Sequence, residues 1–210
     1  MNGSRDPRVA PAAAEIVAAG RDLAARGWVP VTSGNFSRRV DGNLIAITAS
    51  GVDKGALSQA DVLLYDIGQG SPVGEGRASA ETPLHACLYR MRPEIGAVLH
   101  THSRTATLVS KLLRGTDRML LTDYELLKAF RGIDSHEAEA VLPIFANDQD
   151  MPALASRVET RLGAEPAAVG FLISGHGLYT WGLDMGEARR HIEALEFILD
   201  CELERMRLGR

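Results

Sequence analysis

Apolar residues in the first part of the chain recur every three or four positions. Ile16, Val17 and Leu23 share one face of a helix predicted from Val9 to Arg26, which Gly27 stops. The period then changes to two. NFSRRV (35–40) and NLIAIT (43–48) flank Asp41-Gly42, a pair that tolerates the positive φ of tight turns, and predict an antiparallel hairpin. VLLYDI (62–67) predicts a strand and GQGSPVGEG (68–76) a turn-rich loop. A helix is expected to begin at Ser79 or Thr82, either able to cap it, with Pro83 in its first turn, and to run to the break at Pro93. Beyond it the pattern predicts strand AVLHTH (97–102), helix SRTATLVSKLL (103–113), the short MLLT (119–122) and helix YELLKAF (124–130). Strand VLPIF (141–145), helix PALASRVETRL (152–162) and strands VGFLI (169–173) and LYTW (178–181) follow. From Gly186 to Met206, residues Ile192, Leu195, Ile198, Leu199 and Leu203 line one face of a closing amphipathic helix.

Helices and strands are thus interleaved, and the hairpin argues against an all-parallel sheet, so an α/β fold with a mixed sheet between helical layers is expected. No repeat or linker divides the chain, which predicts a single domain over residues 1–210 with residues 1–8 disordered. With 45% hydrophobic residues, 210 positions suffice for a sizeable core. A net charge of −4 without a dense Lys/Arg run argues against nucleic-acid and membrane partners. Glu15 interrupts the Ala-rich opening, unlike a signal peptide, and Cys87 and Cys201 sit in helical patterns, so a cytoplasmic protein without disulfides is expected. The glycines at 68–76 lead into neither a Lys-Ser pair nor a helix, which gives a nucleotide fold little support.

The candidate chemistry starts at AVLHTHSRTA. Alternate strand residues point to one side, so His100 and His102 project together, about 6–7 Å apart along the backbone. Two imidazoles suit one divalent ion, but a catalytic site needs about three protein ligands. His176, between Gly175 and Gly177, is the best third, because flanking glycines let the backbone turn sharply and leave the ring unshielded. The alternative is two polar residues on a solvated strand face. His85 reads as packed or hydrogen-bonded, and His136 and His191 as structural or surface residues. Thr32, Ser33, Gly34 and Asn35, together with ITASG (47–51), combine small donors with close backbone approach and suit an anion, though each alone is also an ordinary turn. Ser79, at a helix start, adds a donor where the dipole favours negative charge.

In order, TSGN, SG, S-A-E, H-T-H and G-H-G-L-Y-x-W-G, over residues 10 to 205, resemble the class II aldolase/adducin family. The resemblance implies a three-layer α/β/α fold with a mixed, mostly antiparallel central sheet. It also implies one Zn²⁺ per subunit on His100, His102 and His176, and a substrate phosphate on Thr32, Gly34, Asn35, Gly51 and Ser79. A homotetramer acting on a small sugar phosphate, with sites at subunit boundaries, follows from the same resemblance. SAETPLH, LHTHS, LTDYELLKAF and SGHGLYTWG are most similar to a branch that dehydrates a methylthio-substituted ketose phosphate in methionine salvage, a carbon–oxygen lyase. In that branch the glutamate opening E-x-x-K is the acid/base; here it is Glu125, with Lys128 closing the motif. Removal of the C3 proton and loss of the protonated C4 hydroxyl would give an enol that relaxes to a 2,3-diketone.

Aldolases of the family use the S-x-E glutamate, here Glu81, and a tail tyrosine, whereas the last tyrosine here is Tyr179. Glu81 reads equally as an acid/base, a metal ligand or a charge at a helix N-terminus. Without the resemblance, Glu125 reads as a solvated helix residue; Lys54, in SGVDKG, could approach the phosphate but reads first as a solvated lysine. An aldolase or epimerase for another sugar phosphate is the alternative. A non-catalytic adducin-like scaffold would be expected to lack the three histidines.

Overall fold

The structure, a computed structural model, describes residues 8–209; the disorder expected for residues 1–8 lies outside them except at Arg8, whose guanidinium is 4.0 Å from the Asp41 carboxylate. The first helix, α1 (Val9–Ala25), buries Val9, Ala12, Ile16 and Leu23. Gly27 takes φ +73°, and the N–H groups of Gly27 and Trp28 bond back to the carbonyls of Ala24 and Leu23, a left-handed closure that glycine makes cheaply.

Next, β1 (Asn35–Asp41) and β2 (Leu44–Thr48) form the expected hairpin, but Asp41 pairs with Leu44, so the turn residues are Gly42 and Asn43. After β3 (Val62–Asp66), the loop expected at 68–76 contributes a two-residue strand, β4 (Ser71–Pro72). Neither expected cap closes α2 (Thr82–Met91): its N-cap is Glu81 without a side-chain bond, and the Thr82 hydroxyl donates to the Ser79 carbonyl. The chain continues through β5 (Ala97–Thr101), α3 (Arg104–Leu112), β6 (Arg118–Leu121), β7 (Ala140–Phe145), α4 (Met151–Ala164), β8 (Gly170–Ile173), β9 (Gly177–Gly182) and α5 (Met185–Arg207).

The helix expected at 124–130 is instead a 3₁₀ turn over Glu125–Ala129. Leu127 anchors it in the core, the Tyr124 hydroxyl donates to Glu202 at 2.5 Å, and the backbone extends at Phe130 so that this ring is also buried. Those anchors leave Glu125 outside.

The nine strands form one sheet in the order β4-β3-β2-β1-β5-β9-β8-β7-β6, antiparallel throughout except for the β7–β8 pair. Helices α1, α3 and α5 pack on one face, over Phe36, Leu99, Leu142 and Leu178. On the other face α2 and α4 cover Ile45, Val98, Phe171 and Tyr179. This is the expected α/β/α layering with a mostly antiparallel sheet, and alternate strand residues feed the two cores. The start of β1, the end of β5 and the start of β9 lie side by side, which brings residues 35, 100 and 176–177 to one edge of the central strands.

Candidate active site

His100 is the fully buried penultimate residue of β5, and His102 follows just past the strand end, where its N–H donates to the Trp28 carbonyl. His176 enters from the turn before β9. The approach is permitted by two glycines: a Cβ on Gly177 would lie 1.9 Å from the Thr101 carbonyl oxygen, and one on Gly34, at φ +74°, 2.7 Å from that of His100. Tyr179 stacks on His100 with centroids 3.8 Å apart and planes 12° off parallel, fixing the ring.

The three Nε2 atoms lie 2.8 Å (His100–His102), 3.1 Å (His102–His176) and 3.3 Å (His100–His176) apart. His100 donates its Nδ1–H to the Leu178 carbonyl at 3.0 Å, so its Nε2 carries a lone pair aimed at the other two nitrogens. Lone pairs crowded in this way repel unless a cation lies between them. Bonds of about 2.0–2.1 Å at tetrahedral angles put donor nitrogens about 3.3 Å apart, so the donor set fits one ion. Burial pushes His100 below the usual imidazole value despite Glu81, and burial with the neighbouring rings takes His102 down to about 3. Both rings are therefore neutral, the form that ligates metals.

Glu81 joins the group: one carboxylate oxygen is 2.7 Å from His176 Nε2, the other 3.6 Å from His100 Nε2. Asn35 Nδ2 donates to Glu81 and also to Ser79 Oγ, at 3.1 Å.

Beside the cluster is a cavity of about 250 Å³ lined by Thr32, Ser33, Gly34, Asn35, Gly51, Lys54, Ser79, Glu81 and His102. All five residues implied for phosphate binding meet there. Lys54 corrects the sequence reading: it is buried, and Nζ donates to the carbonyls of Thr32 (2.9 Å) and Val52 (2.6 Å), leaving its third hydrogen unused. Burial lowers its pKa, with Asp53 and Glu81 opposing. Ser33 Oγ is buried without a partner. No local pattern in SGVDKG signals this burial; α1 and the TSGN loop, both distant in sequence, impose it. A larger cavity of about 460 Å³, lined by Arg92, Phe130, Trp181 and His191, shares no residue with the cluster, so size does not locate the chemistry.

Glu125 is not brought to the cluster or the cavity. Its side chain is 72% exposed and pairs with Lys128 at 2.6 Å, an interaction that lowers its pKa.

Residues 14–203 match the family described as Class II Aldolase and Adducin N-terminal domain. A methylthioribulose-1-phosphate dehydratase of Marinobacter nauticus is 49% identical over 203 residues, covering 97% of this chain and 98% of the relative. One from Pseudomonas aeruginosa is 52% identical over 93% of this chain and 95% of its own. Among solved structures, the L-fuculose-1-phosphate aldolase of Thermus thermophilus superposes with a TM-score of 0.74 at 28% identity, covering 94% of this chain and 96% of that one. By sequence along nearly its whole length and by fold, the chain belongs to the class II aldolase and adducin family.

Proposed function

We propose that the chain is a hydro-lyase that removes water from 5-methylthioribulose 1-phosphate, giving 2,3-diketo-5-methylthiopentyl 1-phosphate. The observation that carries this reading is the meeting of His100, His102 and His176 beside a cavity lined by Lys54, Ser79 and Gly51. Relatives named for this reaction share about half their residues with the chain. Three imidazole nitrogens suit Zn²⁺, taken as one ion per subunit. When bound, such an ion draws electron density from sugar oxygens and acidifies the neighbouring C–H.

The chain's own residues supply the rest. Lys54, Thr32, Ser79 and the backbone at Gly34 and Gly51 hold the phosphate, while Asn35 spends its amide hydrogens on Glu81 and Ser79 and so serves the phosphate through Ser79. Glu125 takes the C3 proton and protonates the departing C4 hydroxyl. Because its carboxylate is exposed and lies outside its own chain's cavity, it acts in the site of a neighbouring subunit of a homotetramer; Leu126 beside it is also exposed, as a subunit boundary requires. Among the described residues no helix is long and apolar enough to cross a membrane, and Cys87 and Cys201 are unpaired, in keeping with a cytoplasmic protein.

Aldol cleavage of another sugar phosphate is the second reading, favoured by Glu81 being the carboxylate at the histidine cluster. Incubation of zinc-loaded protein with methylthioribulose 1-phosphate, following diketone absorbance, with aldehyde trapping from fuculose 1-phosphate in parallel, separates the two. Dehydration without aldehyde release is expected; aldehyde release without dehydration overturns the proposal.

A further inference from the structure

Behind Glu81 and Asn35 runs a line of buried polar groups, His85, Ser37 and Tyr89, to which the proposed reaction gives no part. Tyr89 OH lies 2.9 Å from Ser37 Oγ, which lies 2.7 Å from His85 Nδ1. His85 Nε2 lies 2.5 Å from Asn35 Oδ1, and Asn35 Nδ2 reaches Glu81 and Ser79. Ser37 and His85 are fully buried and Tyr89 and Asn35 nearly so, so water does not compete for these bonds.

The chemistry of the groups orders the line. An ionised carboxylate only accepts, so Asn35 must turn its NH₂ toward Glu81, and its carbonyl is left facing His85. A carbonyl also only accepts, so His85 Nε2 carries a hydrogen whichever way Ser37 is turned. Burial takes His85 down to about 3, so the ring is neutral; its Nδ1 accepts from Ser37, and Ser37 accepts from Tyr89. Ser79 Oγ receives both the Asn35 amide and, at 3.3 Å, the Glu81 N–H, which leaves its own hydroxyl hydrogen for the cavity.

We propose that His85 is a positioning residue, whose Nε2–H locks the Asn35 amide in the one orientation that presents NH₂ to Glu81 and to Ser79. It thereby sets the direction of the Glu81 carboxylate toward the metal cluster and frees the Ser79 hydroxyl for the substrate phosphate. Packing alone does not account for it: an apolar side chain of similar size would fill the space against Tyr179, yet leave Asn35 free to rotate.

The kinetic part of the test rests on the activity proposed above; the spectroscopic part does not. Long-range ¹⁵N–¹H correlation of the zinc-loaded protein, with the signal assigned by its loss in His85→Gln, is expected to show a neutral ring protonated at Nε2; protonation at Nδ1 alone overturns the proposal. In turnover, His85→Leu is expected to lower kcat by about ten- to hundredfold with zinc content unchanged, the cost of losing a hydrogen bond that orders a charged group. His85→Gln, which retains an N–H donor, recovers most of that loss. In an Asn35→Ala background His85→Leu changes kcat by less than about threefold, since contacts that act through one another are non-additive. An equal loss in both backgrounds, or no rescue by glutamine, overturns it. If the wild-type protein dehydrates nothing but the ring is protonated at Nε2, the proposed reaction fails and the positioning role stands.

Discussion

An ammonium with two carbonyl partners has one hydrogen left to give, and at Lys54 it is given in a cavity of small donors. Lys54→Met keeps the apolar stem and removes the charge, so the KM for the sugar phosphate is expected to rise about ten- to hundredfold, measured by steady-state kinetics. His100→Ala removes one of three ligands from a buried cluster, and elemental analysis is expected to find the metal lost together with activity. His100 and His102 were legible in the sequence because strand alternation alone puts them on one side, and His176 because glycines framed it. The burial of Lys54 was not, because it comes from a segment about 20 residues away, and although His85 reads as packed or hydrogen-bonded, its partner Asn35, 50 residues away, is encoded by no local pattern. The role proposed for Glu125 rests on resemblance alone, since its surroundings within one chain are solvent and Lys128.

Strands and helices were read from their periods nearly throughout, and the exceptions have local causes. The 3₁₀ turn at Glu125–Ala129 has the apolar content of a helix but is held at Tyr124 by the bond to Glu202 and at Leu127 by burial, and the backbone leaves it extended at Phe130. The pairing of β5 with β9 depends on Gly177, whose missing side chain admits the Thr101 carbonyl. Gly177→Ala sets a carbon against backbone that cannot yield, so a loss of about 3 kcal/mol is expected in chemical denaturation, with weakened metal binding.

The contact between α5 and β5 makes a prediction of its own. Glu196 accepts from Thr101 (2.8 Å) and Ser103 (2.6 Å), and burial pushes its carboxyl up from 4.5 to about 7 despite those bonds. A carboxyl raised on folding binds its proton more tightly in the folded chain, so this contribution to stability is greatest below about pH 4.5 and is lost as pH rises to about 7. The loss amounts to about 3 kcal/mol. Glu196→Gln is expected to gain that much on the wild type between about pH 4 and about pH 8, read from denaturation midpoints at the two values.

At the scale of the whole molecule, the fold class and layering followed from interleaved periods and one hairpin, whereas strand order is set by which apolar faces meet and is not written in any one segment. A site divided between subunits has a signature that no single-chain variant supplies. Glu125→Gln is expected to keep its metal and fold yet lose turnover, and His100→Ala to lose both metal and turnover. Subunits of the two, unfolded and reassembled together in equal amounts, are expected to regain about a quarter of wild-type activity, the fraction of sites that pair an intact cluster with an intact neighbour. Complete silence of the mixture would confine the acid/base to the chain that holds the histidines.

The cluster also spans the polypeptide in time. His176 follows His102 by 74 residues and reaches it only through β9, the strand laid against β5. During synthesis the first two imidazoles therefore leave the ribosome well before the third, and a nascent or truncated chain carries two of the three imidazoles and binds metal weakly. Only a finished central sheet captures the ion firmly, so cation uptake reports that β9 has joined β5.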